Sequence, residues 1–163
     1  MEYPLLPQQM PEQIKKVWYQ SNIIGLALLW GVGLLIGGVL LWFDRLNSFL
    51  LMGLFAYGGV VFICFLLAMA FVPYRYQFHR YEVTEKDLAF QKGYLFRSIT
   101  YVPIKRIQHI ETEQGPLLRQ ADLMEIVIHT AATSHRIAGL TVVEALALRN
   151  QIIELVKVAK EDV

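Results

Sequence analysis

Beyond residue 74, few side chains in this sequence could do chemistry. They are His79, His109, His129 and His135, the acids Glu111, Glu113, Asp122 and Glu125, and the hydroxyls Ser98 and Ser134. His129 and His135 flank a short turn at residues 131–134 and are placed to face each other across a hairpin. Zinc takes three or four protein or water ligands. Two imidazoles with no thiol or carboxylate assigned beside them form an incomplete set, so no metal centre is expected. Neither serine stands in a nucleophile-elbow setting, and there is no Walker or GxGxxG pattern. The acids read as the solvated rim of a sheet. These residues predict no catalytic group and no bound cofactor.

A second candidate is the stretch "EQGPLLRQADL" from Glu113. It sets a Gly-Pro pair, one arginine and one acid between two runs that read as strands. Pro116 withdraws an N–H from any ladder and Gly115 tolerates a sharp backbone angle, so a chain corner is expected there. Leu117 and Leu118 are expected to plug one end of a small, strongly bent sheet. Arg119 and Asp122, three apart, are expected to pair. Gln114, Gly115, Pro116 and Arg119 form the candidate contact for a protein partner.

These residues must be positioned by a chain that is 55% hydrophobic over 163 residues, with the excess concentrated in two places. Residues 23–43 and 49–72 carry no charge and are joined by "DRLNS". At about 1.5 Å of rise per residue, each run spans the roughly 30 Å of a bilayer core. The short link makes them an antiparallel hairpin. The first run is too long for a signal-peptide core and a second span follows within five residues. Lys15, Lys16, Arg75, Arg80 and Lys86 flank the outer ends, against Arg45 alone in the link. By the positive-inside rule both termini and everything after the second span lie in the cytoplasm, which makes this a multi-pass protein of the cell (inner) membrane. Trp18, Tyr19, Trp42, Phe43, Tyr74 and Tyr76 suit interfacial anchors.

Gly33-Leu-Leu-Ile-Gly37 is a GxxxG in the first span. Small residues let helices approach closely in lipid, so Gly33 and Gly37 are expected to pack the hairpin, or to pack one subunit on another. The absence of ionisable residues from either run argues for an anchor rather than a pore or pump. Cys64 lies inside the second run, which removes disulfides and cysteine-based metal sites from consideration and fits a reducing cytosolic side. Residues 74–163 hold 12 Lys and Arg against 11 Asp and Glu, so no nucleic-acid footprint is present.

Three regions follow: a cytoplasmic N-terminal segment at 1–22, a transmembrane hairpin at 23–72, and a cytoplasmic domain at 74–163. The N-terminal segment, with three prolines, starts extended and turns helical from about Glu12. In the domain, residues 74–83 are rich in β-formers, and the alternation shifts phase near His79-Arg80, which predicts a strand with a bulge. Residues 88–92 and 97–102 read as strands. Residues 104–112, with Ile104, Ile107 and Ile110, fit a helical turn or a strand. Leu123–Thr130 is the cleanest strand, placing Met124, Ile126 and Ile128 on one face and Glu125 and His129 on the other. Thr141 and Glu144 fit a capping box that opens a C-terminal amphipathic helix, with a stripe from Val142 through Ala145, Leu148 and Ile152 to Ala159.

Taken together, "YEVTEKDLAFQKG", "VPIKRIQHIETEQGPLLR", "IVIHTAATSHRIAGL" and "VEALALRNQI" behind two spans resemble the YdbS-type bacterial membrane proteins with a pleckstrin-homology-like (PH-like) domain. Where that family often has an "FGL"-like element after the arginine, this chain has Gln120-Ala121-Asp122-Leu123. The resemblance implies a two-helix membrane hairpin followed by a mainly-β PH-like barrel with one C-terminal helix, and no established reaction. Strand edges of an incompletely closed barrel can accept a partner, so a non-catalytic, membrane-anchored interaction module is expected, a scaffold or subunit of a membrane assembly, to which the resemblance adds a link to envelope stress tolerance. The expected partners are membrane lipids and another integral membrane protein, such as a larger PH-like relative or a second copy.

The alternative is a sensor of lipid headgroups or of a small ligand at the inner leaflet. Its first hairpin turn, Glu85-Lys86-Asp87, is net negative, unlike the cationic turn of phosphoinositide-binding PH domains. Arg97, Lys105, Arg106 and Arg136 are the candidate basic contacts to an anionic leaflet.

Overall fold

The two uncharged runs become helices longer than the membrane requires. In the computed structural model, which describes residues 5–93 and 98–161, α1 spans Ile14–Trp42 and α2 spans Ser48–Phe78. Only 6% of the most apolar window of each helix is buried within the protein, so neither is the core helix of a soluble fold. Such apolar surface needs lipid to cover it. Asn47 caps α2, its side-chain oxygen accepting the Leu50 N–H at 2.9 Å.

The described residues divide into two compact units. Trp18–Val72 form the first. Within it an added Cβ at Gly33 would lie 2.9 Å from Tyr57 Cε1, and one at Gly37 would lie 3.3 Å from Leu54 Cδ1. Tyr57 donates its hydroxyl proton to the Leu29 carbonyl at 2.8 Å.

The second unit joins the described residues up to Val17 with those from Pro73 onward. It contains two antiparallel sheets. The four-stranded sheet has the order β1-β2-β3-β4, with β1 at Gln8–Gln9, β2 at Arg80–Val83, β3 at Asp87–Lys92 and β4 at Ser98–Pro103. A 3-10 turn, Ile104–Arg106, leads into β5 (Ile107–Glu113). After the short helix α3 (Pro116–Gln120), β6 (Leu123–Thr130) and β7 (Ser134–Thr141) complete the three-stranded sheet β5-β6-β7. The expected barrel is therefore an open PH-like sandwich of two sheets. It ends in α4 (Val142–Glu161), which packs against β5, β6, β7 and the 3-10 turn. Ile126 and Ile128 of β6, Ile137 and Leu140 of β7, and Ala145 and Ile152 of α4 are fully buried in its core.

The capping box forms as expected. Thr141 Oγ1 accepts the Glu144 N–H at 3.2 Å, and Glu144 Oε2 accepts the Thr141 N–H at 2.9 Å. The 104–112 segment resolves into both of its readings, a 3-10 turn followed by a strand. The expected strand over 74–83 is wrong in its first half, because α2 continues through Pro73 to Phe78. The Tyr74 and Phe78 rings meet edge-on at 4.8 Å, an i,i+4 contact that only a helix makes. The phase shift read as a bulge marks the junction of helix and strand.

The N-terminal segment is built into the sandwich rather than standing apart. β1 pairs antiparallel with β2. The Leu6 N–H bonds the buried side chain of Gln91 on β3 at 3.0 Å, and Arg80 donates to the Leu6 carbonyl at 3.1 Å. Ile14, 1% exposed, lies against Gly139 of β7. The Tyr76 hydroxyl donates to the Met10 carbonyl at 2.8 Å, and Lys15 sits 4.2 Å over the Tyr76 ring. Tyr76→Phe is expected to cost about 1–2 kcal/mol, since it strands a buried carbonyl while keeping the ring. Denaturant unfolding of the full chain in detergent measures this; no loss would mean water replaces the hydroxyl.

Candidate functional site

Alternation along β5 sends His109, Glu111 and Glu113 to one face, and antiparallel pairing sets residues of β6 beside them. His109 is the direct cross-strand partner of His129, and Glu113 that of Glu125. Pairing of β6 with β7 adds Ser134 beside His129 and Arg136 beside Val127. One outward face of the three-stranded sheet thus carries a polar array, and cross-strand neighbours about 5 Å apart interact directly.

Two groups occupy it. At one end Arg136 bridges Glu113 at 3.3 Å and Glu125 at 3.1 Å. At the other, the His109 and His129 rings stack with centroids 4.2 Å apart. The Glu111 carboxylate lies 3.5 Å from each Nε2, one oxygen toward each ring. His129 Nδ1 is hydrogen-bonded to Ser134 Oγ at 2.8 Å, while its Nε2 is buried without a hydrogen bond. The 3.5 Å approach to Glu111 therefore has the distance of an ion pair and not the alignment of a hydrogen bond. Two imidazole nitrogens and a carboxylate are donors that first-row transition metals accept.

The histidine pairing differs from the one expected. His129 meets His109 across β5 and β6, whereas His135 stacks on Phe90 at 5.3 Å and bonds Thr133 Oγ1 at 2.9 Å. A carboxylate does stand beside the true pair. The signal was His109-x-Glu111, two donors on one face of a strand, but their meeting with His129 depends on register.

Burial, and secondarily the charge of Lys92, holds the His135 imidazole below its usual 6.5. His79 is lowered too, chiefly by burial, against the opposing bond to the Arg75 carbonyl. The unfolded chain then binds more protons near pH 6.5 than the folded one, so stability is full above that pH and declines as pH falls below it. His135→Phe keeps the stacking surface on Phe90 and should flatten part of this acid-side slope. Unfolding midpoints from pH 7.5 to 5 check it; an unchanged slope would assign the effect elsewhere.

The corner at 113–123 is a helical turn. Gly115 precedes α3 with φ −69°, ordinary extended backbone, and Pro116 opens the helix. The left-handed residue is Asp122, at φ 53°, so the backbone angle assigned to Gly115 falls there instead. Leu117 and Leu118 are half-buried. Gln114 donates its amide to the Leu123 carbonyl at 2.9 Å. The expected ion pair between Arg119 and Asp122 is absent; the Asp122 backbone N–H bonds the Arg119 carbonyl at 3.2 Å. Arg119 is exposed, beside exposed Gly115 and Pro116.

Of the expected basic contacts, Lys105 and Arg106 are exposed on the 3-10 turn. Lys105 shares a groove with Glu85, Lys86 and the α4 residues Leu155 and Val158. Arg136 lies apart from them in its two-carboxylate bridge. Arg97 falls outside the described residues.

A family model for the bacterial PH domain matches residues 13–156. Over 89 residues the chain is 42% identical to YdbS, a transmembrane protein of Bacillus subtilis, which covers 55% of this chain and 56% of that protein. The match thus spans about half the length of this curated relative. No solved structure gives a significant match. With two lipid-length apolar helices and a two-sheet sandwich capped by a helix, the chain is a transmembrane member of the bacterial PH domain family.

Proposed function

We propose that the protein is a non-catalytic, membrane-anchored interaction module, a scaffold or subunit of an assembly in the cell (inner) membrane, with both termini and the PH-like domain in the cytoplasm. One observation carries this reading: the domain is built from chain on both sides of the hairpin, β1 before it and β2 to α4 after it. The sandwich is therefore tethered to the bilayer by two helices rather than one. Holding a binding surface on a plane raises its effective concentration toward membrane partners. The surface assigned to a protein partner is the α3 corner, Gln114, Gly115, Pro116 and Arg119, where Arg119 has no side-chain partner among the described residues. The partner chemistry that fits is another integral membrane protein, a larger PH-like relative or a second copy, and a role in envelope stress tolerance is part of this proposal. Gly33 and Gly37 are assigned to packing within the hairpin, on the distances to Tyr57 and Leu54.

Affinity capture of the tagged full chain in mild detergent, followed by mass spectrometry, tests the reading. A membrane protein should be recovered with the parent chain and depleted at least tenfold with Arg119→Glu. Equal recovery with both would remove the α3 corner from the assignment. In a Cys64→Ser background, Asn47→Cys should react with an impermeant thiol reagent in intact cells and Thr133→Cys should not. The reverse pattern would invert the topology.

The second reading, headgroup binding, is supported by Lys86, Lys105 and Arg106 on neighbouring turns. Each cation near an anionic leaflet contributes about 1 kcal/mol. Lys105→Glu with Arg106→Glu should then lower the anionic lipid that copurifies with the full chain.

A further inference from the structure

We propose that His109, Glu111 and His129 form a binding site for a divalent transition-metal ion of zinc type, on the outer face of the three-stranded sheet. Their ligand atoms all lie within 4.8 Å of one another. A tetrahedral zinc ion with bonds of about 2.1 Å sets its ligands roughly 3.4 Å apart. The two nitrogen-to-oxygen separations here are each 3.5 Å. His109 is exposed, and a shift of its ring nitrogen toward the other two ligands would shorten the widest separation.

Three further features separate this trio from a chance surface cluster. First, His129 Nε2 is buried and lacks a hydrogen bond, the condition in which a nitrogen lone pair needs a partner. Second, Ser134 Oγ engages the other ring nitrogen at 2.8 Å. A proton held at Nδ1 leaves Nε2 as the lone-pair donor, the outer-shell arrangement that orients metal-binding histidines. Third, Arg136 takes Glu113 and Glu125, which leaves Glu111 with the two histidines as its only polar partners among the described residues. With three protein ligands, the fourth position is open to water. The proposal stands on this geometry alone and does not depend on the interaction reading.

The test uses the full chain in detergent, stripped with a chelator and then titrated with Zn2+ against a competing indicator. The expected result is one ion per chain. His129→Ala and the near-isosteric Glu111→Gln should each weaken binding by at least tenfold. Ser134→Ala should weaken it about tenfold by freeing the ring. His135→Ala and His79→Ala, outside the trio, should leave it unchanged. Co2+ should give the intense visible absorption of a tetrahedral site, lost with Glu111→Gln. Circular dichroism of each variant separates lost ligands from lost fold. Two results would overturn the site: no stoichiometric Zn2+ on the folded parent chain, or binding that survives His109→Ala combined with His129→Ala.

Discussion

Gly139→Val should unfold or severely loosen the sandwich, at a cost of about 2–5 kcal/mol. Gly139 sits at φ +82°, a region that a β-branched residue rarely enters and that costs an L-residue about 1–2 kcal/mol. A Cβ there would also lie 2.6 Å from Ile14 Cγ1 and Cδ1, and 2.8 Å from Ile14 Cβ. Cδ1 is a side-chain tip, but Cβ and Cγ1 lie next to the backbone. Ile14 is fully buried and begins α1, so relief means moving backbone. Overpacking of this kind adds about 1–3 kcal/mol. Against the roughly 5–15 kcal/mol of a typical domain, the sum is a large share. A double-mutant cycle isolates the contact. Ile14→Ala alone should cost about 2–5 kcal/mol by cavity formation. In that background Gly139→Ala should cost less than in the parent chain, because the Cγ1 and Cδ1 contacts are gone and only the 2.8 Å approach to Cβ remains. Denaturant unfolding of the full chain in detergent reads the cycle. If the two changes add within about 0.5 kcal/mol, the N-terminal segment does not bear on β7 as described.

Gly33→Ile should disrupt the membrane hairpin by about 2–4 kcal/mol while sparing the sandwich. The new Cβ would stand 2.9 Å from Tyr57 Cε1 and 3.2 Å from Cδ1. The ring cannot simply turn aside, because its hydroxyl is tied to the Leu29 carbonyl at 2.8 Å. Releasing that bond in hydrocarbon leaves a donor with no water to take it, at about 1 kcal/mol, beyond the overpacking itself. Gly31 and Gly38 supply the control, since a Cβ at either meets nothing within 4 Å. Gly31→Ile and Gly38→Ile should leave the hairpin unchanged. Resistance of the full chain to SDS separates these outcomes. If all three variants weaken it equally, apolar bulk rather than the Tyr57 contact is responsible.

Both predictions rest on contacts between segments distant in the chain, and that is where sequence reading stopped. The two spans, the link and the strand at Leu123–Thr130 were legible because burial in lipid or in one sheet face imposes a local pattern. So was the capping box, whose partners lie three residues apart. The helix through 74–78 was not, because Tyr76 and Phe78 show a period of two by chance, and Pro73 signals a stop that α2 runs through. Gly115 was assigned a special backbone angle that Asp122 in fact adopts, since a Gly-Pro pair does not say which neighbour turns left-handed.

The sequence by itself determined two membrane spans, short strands and a C-terminal helix, since hydropathy runs and short-range caps act over a few residues; the PH-like fold followed from resemblance. Tertiary structure alone decided that residues 5–17 complete the sandwich, through Leu6 on Gln91 and Ile14 on Gly139. It also decided that His129 meets His109 and Glu111 rather than His135. Strand register sets which side chains meet across a sheet, and a shift of one residue reverses every face. No spacing along one strand encodes the register of the next.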